Sequence, residues 1–462
     1  MRRNAAAVIA AVFLLSCLIN SAHAYAAEEI GADYIIKYKE SAAGLAEDDG
    51  IPFDVVSEEE ALRLERAGLL EWCEPDGEGV LLDDAVILAD TDYYERYQWN
   101  LGLIGADAAF EQSYLGRGVR VGAVDSGVNP HPDLAARLLN GHNYMEDADD
   151  ETDTSDRYGH GTRVAGLIAG AGENGYIGVA PMAELVPLKI TDGKSVRVSA
   201  VCRAIYGGID DYGCDVLNLS LGITDDYQSL REAIDYAEQQ GVTVVAAVGN
   251  TGKDTTYYPA GYDSVIGVGS VDQNQNVSSR SNRNGSVFLT APGVDVRSTD
   301  SLGGYTLSTG TSFAVPQVTG AAAVLMGIDG TLTAAEIRSL LAQTAIDRGA
   351  EGYDESCGYG ILNVAGSVAA LAGEGERPET PCAFTSASTL CNYTGADIDL
   401  IYLLAEYDES GRCLGVKRWL FTVPARGSVA IEPPDENTIF GQFICETAAM
   451  TPLAAAGKLL SQ

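Results

Sequence analysis

Val121-Gly-Ala-Val-Asp125-Ser-Gly-Val128 is a short apolar run that ends on a carboxylate and then turns. A run this short, bounded by turn signals and extending back to Val119, reads as a strand buried on both faces, as in parallel sheets. Similar runs follow at Val216–Leu221, Val242–Val248 and Val265–Val268, with helical stretches such as Arg231–Gln239 between them. Short buried strands alternating with helices predict an α/β fold around a parallel sheet. Ligands of such sheets bind in the crevice outside the carboxyl ends of the strands, which makes Asp125 a candidate site residue.

Two further islands share this format. Gly159-His160-Gly-Thr-Arg-Val-Ala-Gly166 brackets a histidine with glycines at the start of an apolar helix. Gly310-Thr-Ser312-Phe-Ala-Val-Pro316-Gln-Val-Thr-Gly320 turns a serine into a stretch of small residues. A serine hydroxyl is a weak nucleophile until an imidazole takes its proton. The imidazole in turn needs a carboxylate to fix its tautomer and stabilise its cation. A fourth island, Val244-Val-Ala-Ala-Val-Gly249-Asn250, ends a buried run in an amide donor, a group suited to a developing oxyanion.

In the order Asp, His, Ser, these islands resemble the subtilisin-like serine peptidases, the subtilases, over about residues 98–372. The resemblance implies that Asp125 is the orienting acid, His160 the general base and acid, and Ser312 the nucleophile. Asn250, with the Ser312 backbone N–H, would form the oxyanion hole. Leu217-Asn-Leu-Ser220-Leu221-Gly222 resembles the edge segment that takes an extended peptide as an added strand. Ala247-Val248-Gly249 matches the opposite wall of the first specificity pocket, and Tyr257, in Tyr257-Tyr-Pro259, matches its floor. A floor filled by tyrosine implies a small or medium side chain before the cut bond. Calcium is common in the family, and Asp133 and Gln98 match ligand positions, although Ala171–Gly178 is shorter than the usual ligand-bearing loop. Val315, Gln317 and Arg163 replace residues more usual in the family, and none of them supplies the reaction.

The flanks fit the same resemblance. Met1-Arg2-Arg3, the apolar Ala5–Ile19 and Ala22-His-Ala24 read as a signal peptide over residues 1–24, implying secretion. Leu14-Leu-Ser-Cys17 also resembles a lipoprotein box, which would anchor the chain at the cell surface through Cys17. Asp33–Tyr38 alternates like a strand, and Ser57 with Glu60 forms a capping-box pattern ahead of a helix through Glu65. Residues 28–92 resemble the subtilase propeptide, a small αβ unit that assists folding and then inhibits, with the cut between Leu82 and Gln98. The peptidase domain spans residues 96–373. After Gly373-Glu-Gly-Glu-Arg-Pro378, strands are expected at Leu400–Tyr407, Lys417–Val423, Ser428–Ile431 and Ile439–Cys445. They make residues 380–462 a small β-sandwich-like domain for docking, surface attachment or stabilisation.

Composition narrows the partners. The 462 residues carry 66 acids against 29 bases, a formal net charge of −37, which disfavours nucleic acid and anionic membranes. Glu146 to Asp156 concentrates acids just before His160; it reads as a solvated loop, or as a rim that binds calcium or draws basic substrate. Of the nine cysteines, Cys202 with Cys214 and Cys382 with Cys391 are near neighbours, open to pairing or to burial as thiols. The sequence therefore describes a secreted, self-maturing monomer hydrolysing polypeptides, whether by broad degradation or by dedicated maturation of few substrates. The competing class is a binding protein that uses the fold as a scaffold.

Overall fold

The computed structural model describes residues 33–39, 42, 51–82, 98–112, 114–146, 148–171 and 176–372, and beyond these the strands of residues 382–459. The expected signal peptide and Cys17 lie outside the described residues. Two compact units follow one another, Met1–Asp76 and Gly77–Gln462.

In the first unit, β1 (Asp33–Tyr38) pairs antiparallel with both β2 (Asp54–Ser57) and β3 (Leu70–Pro75). Helix α1 (Glu58–Arg66) brings Ala61 and Leu64 into one cluster with Ile36 and Leu70. Ser57 caps the helix by accepting the Glu60 N–H at 3.4 Å. The Glu60 carboxylate turns instead to Arg63, one turn along, so the reciprocal half of the capping box is absent.

The second unit begins with β4 (Glu78–Leu81), α2 (Trp99–Ile104), α3 (Ala106–Glu111), β5 (Arg120–Asp125), β6 (His142–Asn143) and α4 (His160–Ala169). It continues through β7 (Glu184–Lys189), β8 (Ser195–Arg197), α5 (Val198–Asp210), β9 (Val216–Leu219), β10 (Leu221–Gly222) and α6 (Gln228–Gln239). Then come β11 (Thr243–Ala247), β12 (Ile266–Val271), β13 (Leu289–Pro292), β14 (Val296–Thr299), β15 (Tyr305–Ser308), α7 (Thr311–Ile328), α8 (Ala334–Thr344) and α9 (Val364–Ala372). Seven strands form one parallel sheet in the order β13-β12-β11-β9-β5-β7-β6. After β5 the chain first builds β6 and β7 on one side and then β9 onward on the other. The C-terminal ends of β5 and β9 therefore flank the switch point, where α/β sheets leave a crevice.

Helix α7 is apolar all round and buried from Thr311 to Leu325, as a central core helix must be. It is long and apolar enough to cross a membrane, but it spends that character inside the protein. Its polar groups are paired across to the sheet. Thr319 Oγ1 donates to Asn218 Oδ1 at 2.9 Å, Asn218 Nδ2 donates to Ser220 Oγ at 3.0 Å, and all three residues are fully buried.

The compact boundary precedes the expected propeptide end at residue 92, because β4 is an added strand of the second unit. It pairs antiparallel with β10 on one edge and β8 on the other. Farther on, β16 (Cys382–Ser386), β17 (Thr389–Asn392) and β20 (Ser428–Ala430) form one antiparallel sheet. Strands β18 (Ile398–Tyr407), β19 (Cys413–Val423), β21 (Ile439–Glu446) and β22 (Pro452–Leu459) form another. Of the two readings of Cys202 and Cys214, burial as thiols holds: both are buried, neither is in a disulfide, and burial pushes the Cys214 thiol up to about 12. Cys202 lies within α5 while Cys214 follows its end, and closeness in sequence does not supply disulfide geometry.

Thr319→Val would leave the buried Asn218 oxygen without its donor. In a Ser312→Ala background, urea unfolding is expected to show a loss of about 1–3 kcal/mol. Leu302→Ser, at a side chain 94% exposed, is expected to stay within about 0.5 kcal/mol.

Candidate active site

Each chemistry-bearing residue sits where an element starts or ends. Asp125 closes β5, His160 opens α4, Ser312 is the second residue of α7, and Asn250 follows β11. Asp125 and His160 are fully buried and in contact: His160 Nδ1 lies 2.7 and 2.9 Å from the two carboxylate oxygens. Asp125 Oδ1 also accepts the Ser126 N–H at 2.7 Å, so the carboxylate is itself fixed in orientation. The other imidazole nitrogen, His160 Nε2, is buried and has no hydrogen-bond partner among the described residues. It is an uncommitted proton acceptor.

Ser312 is held by a feature of its own helix. Pro316 lies in α7 four residues after Ser312 and has no N–H to give, so the Ser312 carbonyl loses its usual intrahelical donor. Ser220 Oγ fills that role at 2.9 Å. The Ser312 backbone is thereby tied to Ser220, at the head of the edge strand β10. Its hydroxyl, fully buried, donates to the Leu82 carbonyl and lies 3.1 Å from the Ser220 carbonyl oxygen.

Asn250 is aimed in a similar way. Its Oδ1 accepts the Thr311 N–H at 2.9 Å and the Thr311 hydroxyl at 3.0 Å, which turns Nδ2 outward. Nδ2 donates to the Leu82 carbonyl oxygen at 2.8 Å. Gly310, at φ 153°, makes room for this approach, since a Cβ there would sit 3.0 Å from both Asn250 Nδ2 and the Leu82 oxygen. The Leu82 carbonyl thus meets the Asn250 amide and the Ser312 hydroxyl together.

The expected recognition residues surround the same segment. Leu221 and Gly222 pair with Leu81 and Val80, and the Ser220 carbonyl accepts the Leu82 N–H at 3.2 Å. The ring of Tyr257 packs against both Gly222 and Gly249, and a Cβ on Gly222 would lie 2.7 Å from that ring and 2.8 Å from Leu82 Cδ1. Ala247 ends β11 buried beneath this wall. Among the replacements, Gln317 joins Asn100 and the Pro292 and Phe313 carbonyls. Arg163 Nε bonds the Gly159 carbonyl at 2.7 Å, with its guanidinium 5.5 Å from the Phe313 ring centre.

One residue escaped the sequence reading because it belongs to the acidic run. Asp156 is 3% exposed, and its two oxygens accept from the Gly159 N–H at 2.6 Å, Thr162 N–H at 2.8 Å, Thr162 hydroxyl at 2.6 Å and Ser126 hydroxyl at 2.8 Å. It is the carboxylate that satisfies the open N–H groups at the head of α4 and suits the positive end of the helix. It also ties that head to Ser126, beside Asp125. Its neighbours serve the loop: hydrogen bonds from Thr152 hold Asp150 below the usual carboxylate range, and those from Ser155 do the same for Asp153.

The expected calcium donors do not fit a cation as they stand. Gln98 Oε1 accepts the Ile177 N–H at 3.0 Å while its Nε2 donates to the Ile177 carbonyl at 2.6 Å. Asp133 accepts the Tyr305 hydroxyl, whose pKa is raised by burial and by Asp133 itself. His131 Nδ1 accepts the Asp133 N–H at 3.1 Å, which makes Nε2 the protonated nitrogen, bonded to the Gly304 carbonyl at 2.9 Å. No group of three or more acids, histidines and cysteines fit to hold a metal occurs among the described residues.

This architecture has known counterparts. Residues 116–360 match the model of the subtilase family. The chain is 38% identical to subtilisin DY of Bacillus licheniformis over 275 residues, 58% of this chain and 96% of that protein. It is 32% identical to an alkaline protease of Shouchella clausii over 378 residues, 77% of this chain and 96% of that protein. It is also 30% identical to alkaline elastase YaB of Bacillus sp. (strain YaB) over 373 residues.

Asp156→Asn would halve the acceptors under the histidine helix. The expected outcome is a loss of about 1–3 kcal/mol in urea unfolding and a fall in kcat of about tenfold or more, as the imidazole loses its placement. Asp153→Asn, in the same loop, is expected to leave kcat unchanged.

Proposed function

Because this chain belongs to the subtilase family and is a serine-type endopeptidase acting on polypeptides, we propose that Asp125, His160, Ser312 and Asn250 carry its chemistry. We read the first substrate as its own leader, cut after Leu82. The observation that carries this reading is the Leu82 carbonyl oxygen, 2.8 Å from Asn250 Nδ2 and in contact with the Ser312 hydroxyl.

Ser312 Oγ attacks the Leu82 carbonyl carbon while its proton passes to His160 Nε2. Asp125, bonded to Nδ1, stabilises the imidazolium. Negative charge gathers on the Leu82 oxygen, where Asn250 Nδ2 already points. As the tetrahedral intermediate collapses, the Nε2 proton goes to the departing nitrogen of Asp83, leaving the leader esterified to Ser312. Water, deprotonated by the same imidazole, then releases it. Three backbone contacts support this register: Leu82 N–H to the Ser220 carbonyl, Leu81 N–H to the Lys194 carbonyl at 2.8 Å, and Val198 N–H to the Gly77 carbonyl at 2.9 Å.

Residues 33–76 act as the folding assistant and residues 77–82 as the inhibitory tail, in this reading. Arg2-Arg3 and the apolar Ala5–Ile19 support export and an extracellular workplace. Tyr257 against Gly222 and Gly249 limits the depth available to the residue before the cut, which suits leucine and excludes large aromatics.

Asn250→Ala is expected to lower kcat by about 10²–10³ with a small change in KM, measured on a leucyl peptide substrate. A serine-directed fluorophosphonate is expected to label the mature wild type and not Ser312→Ala. In a peptide library, cleavage is expected after Leu and Ala; cleavage after Phe or Tyr at equal rates would remove Tyr257 from the pocket floor.

A further inference from the structure

Taking Leu82 as the residue before the cut, Gly79 is the fourth residue back, and nothing larger than hydrogen fits beneath it. A Cβ on Gly79 would lie 2.5 Å from Ile223 Cγ1, 3.0 Å from Val196 Cγ2 and 3.1 Å from the Gly222 carbonyl oxygen. Contacts of this size force the protein or the peptide to move. The peptide has no room to rise, because β4 is bonded on both edges. Gly79 opposes Val196 of β8 while Val80 opposes Gly222 of β10.

The wall is equally constrained. Ile223 exchanges two backbone bonds with Tyr258, at 2.9 and 2.8 Å, and is 1% exposed. Being β-branched, it has little freedom at χ1. The third contact is with backbone, which has no rotamer to change. Two residues earlier the limit is softer: a Cβ on Gly77 would meet the Tyr227 hydroxyl at 1.9 Å, but that group is the far end of a side chain able to swing away.

We propose that the pocket for the fourth residue before the cut is closed by Ile223, Val196 and the Gly222 carbonyl. The enzyme accordingly selects polypeptides with glycine at that position and an aliphatic residue such as leucine at the cut. This rests on the reading of Leu82 as the residue before the cleaved bond. It favours dedicated processing over broad degradation, since a requirement for glycine at one position removes most extended segments from the substrate range.

The test uses the mature enzyme, titrated with fluorophosphonate, on quenched peptides carrying the sequence of residues 78–85, Glu-Gly-Val-Leu-Leu-Asp-Asp-Ala. Replacing the glycine by alanine is expected to lower kcat/KM by about tenfold or more, and replacing it by phenylalanine by about a hundredfold or more. Ile223→Ala, or Ile223→Val should the first fold poorly, is expected to bring the glycine-to-alanine ratio down several-fold. Equal cleavage of the glycine, alanine and phenylalanine peptides by wild-type enzyme, a parallel aliquot of which takes up the fluorophosphonate, would overturn the closed pocket and leave the active-site reading standing. Enzyme whose parallel aliquot takes up the label but which cuts these peptides at a bond other than Leu-Asp would overturn the Leu82 register itself.

Discussion

The hydrogen bond from Ser220 Oγ to the Ser312 carbonyl joins the two halves of the machinery. It exists because Pro316 withholds the N–H that an ordinary helix would supply at that place. A buried carbonyl left unpaired would cost about 1–3 kcal/mol, so an outside donor is required. Drawing that donor from the residue just before β10 couples the position of Ser312, the proposed nucleophile, to the edge on which β4 lies. Asn218 and Thr319 extend the connection back into the centre of α7, so the register of strand, helix and substrate is set by one buried polar chain.

The rest of the site follows the same economy of orientation. Asn250 is aimed by Thr311, the residue next to Ser312, so the Asn250 amide is oriented by the neighbour of the proposed nucleophile. Asp156 anchors the start of the histidine helix and reaches through Ser126 to the neighbourhood of Asp125. Preoriented dipoles of this kind are usually the largest single contribution to acyl transfer. Of the acids before His160, Asp150, Asp153 and Asp156 fasten the loop and the helix start.

The residues of the proposed catalytic set stood out in the sequence because chemistry fixes their types and the turn into or out of each element fixes their surroundings. The strands around Asp125, Val216 and Val245 were legible because buried parallel strands are apolar throughout. Strand β7, whose Glu184 and Pro187 interrupt its apolar run, lacked that signal. The role of Asp156 was hidden because a run of seven acids offers no local mark of the one that turns inward. The Leu82 register was hidden for a different reason. Strand addition is decided by pairing with β8 and β10, and a slip of one residue reverses every side chain without changing composition. Gln98 and Asp133 were singled out as matches to calcium-ligand positions, and the partners they have here are the Ile177 backbone and the Tyr305 hydroxyl.

The account stands most directly on the bond that the site holds. Mass analysis of the first products of self-cleavage, taken before secondary trimming, identifies both new ends. The account predicts a leader fragment ending in Leu82 and a mature chain beginning at Asp83, with neither formed by Ser312→Ala. A first cut at any other bond between Leu82 and Gln98, or an unchanged fragment pattern in Ser312→Ala, would contradict it.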